Sequence, residues 1–176
     1  MDFRTVLGLL SGFFEPRGEP YAVIGGLAMA ALGMPRTTLD VDIVAHQRVA
    51  SELVRRLEEL GYETLHHSPG YSNHLHPDPR LGRIDIVFVR GETADRLFGE
   101  LETRPGFGDR PIPVPRPEHL AATKLFAIRN DPRRTAREME DVRFLVEHAG
   151  ADVDRVSAYL ERYGLESLRD MLDERS

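Results

Sequence analysis

Val23-Ile24-Gly25-Gly26, the apolar run Leu27-Ala28-Met29-Ala30-Ala31-Leu32, and then Arg36-Thr37-Thr38-Leu39-Asp40-Val41-Asp42-Ile43-Val44 form the stretch on which the reading of this chain turns. It reads as a strand, a glycine turn, a short helix and a second strand that carries two carboxylates. Successive side chains of an extended chain point to opposite faces, so Asp40 and Asp42 share one face and Val41 and Ile43 take the other. Two carboxylates held that close repel one another unless a cation lies between them. Magnesium takes a few carboxylate oxygens together with substrate phosphates, so the pair beside a phosphate-sized turn points to a metal and nucleotide site. Gly25-Gly26 ends the apolar strand and opens the helix, where free backbone N–H groups and the positive helix end suit a phosphate. Taken singly, Asp-x-Asp also fits a solvated strand face, and Gly-Gly also fits a plain tight turn.

A third carboxylate lies in Arg83-Ile84-Asp85-Ile86-Val87-Phe88-Val89, another short apolar strand signal. Asp85 points away from the face that Ile84 and Ile86 bury. If this strand lies beside the Asp40 strand, the three acids form one face, enough to hold two metal ions. Alone, Asp85 fits an edge-strand acid in water. Thr38 points to the acidic face by alternation, and Arg36 precedes it closely enough to meet a phosphate.

With these residues in view, Gly25-Gly26, Asp40-x-Asp42 and the later Asp85 resemble the signature of the polymerase β-like nucleotidyltransferase superfamily. Gly-Gly-x-Ala with Arg-x-Thr-x-Asp-x-Asp is similar, more narrowly, to AbiEii-type toxins and minimal nucleotidyltransferases. Pro117-Glu118-His119-Leu120-Ala121-Ala122-Thr123-Lys124-Leu125-Phe126-Ala127-Ile128, followed by Arg137-Glu138-Met139-Glu140-Asp141-Val142, is similar to that group's helical half. The resemblance spans about residues 20–147. It implies transfer of a nucleoside monophosphate from an NTP to a hydroxyl of a tRNA, a protein or a small molecule. It also implies Mg2+ or Mn2+ at Asp40, Asp42 and Asp85, which serve as catalytic residues as well. Gly25, Gly26, Arg36, Thr38 and Lys124 are then the nucleotide-binding residues, and a toxin relationship implies an antitoxin partner. Gly-Gly stands here where Gly-Ser is commoner, which removes a hydroxyl from the triphosphate's anchoring.

The rest of the chain agrees with an α+β fold, a mixed sheet flanked by helices. The length of 176 residues fits a compact unit able to bury a sizeable core. We expect an opening amphipathic helix with Val6, Leu7, Leu10 and Phe14, strands at 21–24, from Asp40, and at 62–66, 73–76 and 83–89, and helices at 27–32 and 49–60. Residues 104–111 read as a turn-rich link and Ile112-Pro113-Val114 as a short edge strand, since proline cannot donate to a central ladder. Helices follow at 117–128, 135–148, 153–163 and 165–172. The nucleotidyltransferase-like core is thus expected over 1–115 and a helical region packed on it, as one wall of a cleft, over 116–176.

Composition narrows the function classes. Cysteine is absent, which excludes disulfides, thiolate catalysis and cysteine zinc sites. There is no long apolar run and no basic leader ahead of a small-residue cleavage site, so a cytoplasmic protein without a membrane partner is expected. The net charge of −6 argues against a surface that is a nucleic-acid footprint throughout. Arg129, Arg133, Arg134 and Arg137 read either as a local phosphate contact or, rather more simply, as a solvated helix face paired with Glu138 and Glu140. Lys124 reads as a triphosphate ligand or a snorkelling surface lysine, and Asp141 as its orienter or an exposed acid.

Two competing functions are carried forward. One is a non-catalytic relative that binds a nucleotide or a partner. The other is a metal-dependent phosphodiesterase in which His74 or His76 joins the acids; His66-His67 and His74-x-His76, with Asp78 nearby, offer transition-metal ligands, but on a hairpin near Pro69-Gly70 they read more simply as solvated or packed residues.

Overall fold

Strong β-branched alternation in two distant segments determines the sheet. The computed structural model describes residues 1–34, 36–106 and 110–173, and divides into two compact units, Met1–Val114 and Pro115–Ser176. In the first unit, β1 (Tyr21–Val23), β2 (Asp40–His46), β3 (Glu63–Ser68), β4 (Tyr71–Leu75) and β5 (Arg83–Val89) form a five-stranded sheet of order β1-β2-β5-β4-β3. β2 and β5 are parallel, and the other neighbours are antiparallel. In β5 the alternation is complete: Ile84, Ile86 and Phe88 are buried, while Arg83, Asp85, Val87 and Val89 are half-exposed. Val41 and Ile43 of β2 join the buried face.

Helix α1 (Phe3–Phe14) begins where the Asp2 side chain accepts from the Thr5 N–H, and it buries Val6, Leu7, Leu10, Phe13 and Phe14 along one stripe. Phe14 stacks on Tyr21 with ring centroids 4.6 Å apart, which ties the helix to β1. Helix α2 (Gly25–Ala31) follows β1 directly, and α3 (Ala50–Glu59) buries Leu53, Val54 and Leu57. Two elements were not foreseen. Helix α4 (Gly91–Gly99) buries only Ala94 and Leu97, too sparse an apolar stripe to announce itself, and β6 (Leu101–Arg104) is a four-residue strand. β6 pairs with β7 (Ile112–Pro115), the expected proline-containing edge strand, in a separate two-stranded sheet. Phe107, Gly108 and Asp109 of the turn-rich link lie outside the described residues.

The second unit consists of α5 (Pro117–Asn130), α6 (Thr135–Glu147), α7 (Val153–Tyr163) and α8 (Asp170–Asp173). The single helix expected at 165–172 is instead a 3-10 turn, Glu166–Leu168, followed by the four-residue α8. No helix among the described residues is long and apolar enough to cross a membrane.

The histidine-rich hairpin does structural work. His74 lies in β4 opposite Ile84, on the sheet face away from Asp85, and is fully buried. The Thr64 hydroxyl donates to Glu58 Oε1 at 2.7 Å and so accepts from His74 Nδ1 at 3.2 Å, while His74 Nε2 accepts from Ser72 Oγ at 2.9 Å. A neutral imidazole satisfies that chain, and burial pushes the His74 pKa down to about 4. β4 ends at Leu75, so His76 does not continue the alternation. Its Nδ1 accepts from the Asp78 N–H and its ring meets Tyr62. His74 and His76 therefore do not converge on a metal as a paired strand face would.

This burial has a stability consequence of definite sign. Above pH about 6.5 His74 is neutral in both states; as pH falls toward 4 the unfolded chain gains a proton that the folded one refuses, and folding weakens. Urea denaturation of the wild-type protein and His74→Gln should show the wild type losing about 3 kcal/mol relative to the variant between pH 7 and pH 4. A constant difference between the two over that range would contradict the burial of a neutral His74.

Candidate active site

The parallel ladder pairs Asp42 with Asp85 and Asp40 with Arg83. Asp40, Asp42 and Asp85 therefore stand on one sheet face, each half-exposed, and one carboxylate oxygen from each lies within 4.8 Å of the other two. Among the described residues this is the only group of three or more His, Asp or Glu side chains so arranged. The register is what matters, because a shift of one residue would send Asp40 and Asp42 to the buried face.

Neighbouring groups hold the acids in place. Thr38 Oγ1 donates to Asp40 Oδ1 at 2.7 Å. Asp85 Oδ1 accepts from Asn73 Nδ2 at 2.8 Å and from Arg83 Nε at 2.9 Å. Asn73 also bonds the Tyr71 hydroxyl. The bond to Asp85 raises the Arg83 pKa, and burial, with the Asp85 charge beside it, raises that of Tyr71. Asn73, Arg83 and Tyr71 were missed from sequence. Arg83 was open to detection, since the alternation that groups Asp40 with Asp42 equally groups Arg83 with Asp85. Asn73 becomes visible only once β4 is known to pair with β5.

The two glycines are explained by side-chain contact. Gly25 has a φ of +62°, and a Cβ there would lie 2.0 Å from Asp42 Oδ2; a Cβ on Gly26 would lie 2.7 Å from Thr38 Cβ. The start of α2 thus lies against the residues of the acidic face, and a larger residue at either glycine would force Asp42 or Thr38 to shift. Arg36, half-buried, lies in the irregular stretch just ahead of Thr38.

Lys124 belongs to the second unit, on α5, and is not a snorkelling surface residue. Its Nζ lies 2.7 Å from Asp141 Oδ2 and 3.0 Å from Glu138 Oε2, both on α6 and both fully buried. Asp141 does orient Lys124. Glu138 is corrected from a solvated partner of the arginines to a buried acid, bonded to Lys124 on one side and Arg134 on the other. Arg133 pairs with the adjacent Asp131.

Residues 9–175 match the family described as nucleotidyl transferase AbiEii toxin, type IV TA system. The chain belongs to the AbiEii family. No curated protein matches the sequence. Among solved structures the chain is similar to the antibiotic-resistance factor ANT(2'')-Ia, at 17% identity and a TM-score of 0.71 over 99% of this chain and 100% of that one. It is also similar to the lincosamide antibiotic adenylyltransferase LnuA, at 18% identity and a TM-score of 0.58 over 81% and 96% of the two chains. A nucleotidyltransferase-like antigenic protein from Paracoccidioides brasiliensis matches at 15% identity and a TM-score of 0.58 over 99% and 93%. These likenesses establish the nucleotidyltransferase fold. The AbiEii family thus supplies a nucleotidyltransferase context for the acidic face.

Two substitutions test the local readings. Gly25→Ala should cost about 1–3 kcal/mol in chemical denaturation through its positive φ and the clash with Asp42. Gly8→Ala, whose Cβ would meet nothing within 4 Å, serves as the control that is not destabilised. Lys124→Met removes the cation that two buried carboxylates share, of which Glu138 keeps Arg134, and should cost about 3 kcal/mol; a loss under about 1 kcal/mol would place Lys124 in solvent.

Proposed function

We propose that this protein moves a nucleoside monophosphate from an NTP to a hydroxyl acceptor, with Asp40, Asp42 and Asp85 as the catalytic and metal-binding residues. The observation that carries the reading is the convergence of three carboxylates, from two strands, on one half-exposed face beside the glycine turn. The donor set suits a hard divalent cation such as Mg2+ or Mn2+, which prefers carboxylate oxygens and substrate phosphates to imidazole or thiolate. When bound, such ions would neutralise the charge on the reacting phosphate and on the leaving pyrophosphate.

The chain's own residues divide the remaining work. Asp40 and Asp42 would hold both ions and Asp85 one. Asp85 would also take the proton of the acceptor hydroxyl as its oxygen bonds to the α-phosphorus and the bond to pyrophosphate breaks. Thr38 keeps Asp40 aimed through its hydroxyl. Backbone N–H groups at Gly25 and Gly26, with Arg36, would meet the triphosphate. Lys124 is the further nucleotide-phosphate ligand carried over from the resemblance, and its ion pairs with Glu138 and Asp141 would fix where its ammonium sits. The toxin description of the family favours a tRNA or a protein acceptor over a small molecule, with an antitoxin as the genetic partner and the cytoplasm as the place of action.

Incubation with each radiolabelled NTP, Mg2+ or Mn2+, total tRNA and cell extract tests the proposal. Label should move to an RNA or protein band with the wild-type protein, and fall by at least about 100-fold with Asp40→Ala or Asp85→Asn. Nucleotide binding that survives Asp85→Asn, with no transfer by the wild type under any condition, would instead identify a binding module.

A further inference from the structure

We propose that Arg83 sets the metal affinity of the acidic face, holding Asp85 as its counter-cation so that the free protein takes up a divalent ion weakly. The inference rests on the assignment of Asp40, Asp42 and Asp85 as the metal ligands. Arg83 Nε lies 2.9 Å from Asp85 Oδ1, and the ladder places Arg83 directly opposite Asp40. The guanidinium thus pairs with one of the three acids, Asp85, from a strand position level with a second. Tyr71, bonded to Asn73, lies on the same face and adds to the polar surroundings of the guanidinium.

The two donors on Asp85 Oδ1 have different effects on an incoming cation. Asn73 is neutral and orients the carboxylate without opposing a metal. Arg83 carries a permanent positive charge, which repels a dication and already satisfies part of the charge that the dication would neutralise. Exposure shows which partner can yield. The Arg83 side chain is 43% exposed and that of Asp85 only 14%, so Arg83 can turn to water while Asp85 stays in place. A metal arriving with nucleotide phosphates brings negative charge of its own, which offsets Arg83 and gives the released guanidinium a partner. Metal capture is thereby coupled to nucleotide capture.

Mn2+ titration, read by the electron paramagnetic resonance of the free ion without nucleotide, tests this on the full chain. Arg83→Gln should bind Mn2+ about tenfold more tightly than the wild type. Arg83→Met should match it, and Arg83→Lys, which keeps the charge, should stay within about twofold of the wild type. Thermal unfolding without metal checks that each variant is folded. Wild-type binding that Asp42→Asn abolishes, with Arg83→Gln and Arg83→Met equal to or weaker than the wild type, would overturn the role given to Arg83 and leave the metal site standing. Mn2+ binding indifferent to Asp42→Asn in every variant would overturn the metal site and this inference together.

Discussion

Parallel pairing of β2 with β5 is the constraint on which the site depends. The two strands are separated by α3, β3 and β4, and their union in one register sets Asp42 opposite Asp85 while Ile43 and Ile86 go together into the core. The burial of Val41, Ile43, Ile84 and Ile86 stabilises that register, because a one-residue slip would exchange apolar and acidic faces at once. Three mutually repelling carboxylates are thus held together by the hydrophobic effect acting on the opposite side of the same strands. Local bonds from Thr38, Asn73 and Arg83 then refine where each carboxylate points.

The glycine turn is part of the same arrangement. Gly25 and Gly26 were read from sequence as a phosphate-binding turn or a plain one, and in the structure their missing side chains make room for Asp42 and Thr38. Closeness of α2 to the acidic face follows directly. The same absence of Cβ that admits these side chains leaves backbone near the place where a triphosphate would lie.

Most of the sheet was legible because period-two alternation is clear in 40–43 and 83–86, where β-branched residues flank single acids, and apolar residues continue each strand. The mixed α+β class followed from those strands and from the glycine, proline and helix signals around them. What escaped notice depended on tertiary pairing or on sparse patterns. Asn73 gains its role only through the β4–β5 ladder, α4 has two buried anchors, and Glu138 looks like any surface acid until α6 is seen to turn it toward Lys124. The histidines offered two readings, a shared metal face or packed side chains, and the structure takes the second: β4 stops before His76, and His74 is spent on a buried hydrogen-bond chain.

Asp40, Asp42 and Asp85 are proposed to act as one metal centre serving a nucleotide. Crystals grown with Mn2+ and a non-hydrolysable NTP analogue, and measured at the manganese absorption edge, test it most directly. Anomalous peaks about 2.1–2.3 Å from oxygens of all three aspartates and of the nucleotide phosphates would bear it out. Manganese bound elsewhere, or nucleotide bound away from Gly25-Gly26 with Arg83 still on Asp85, would contradict it.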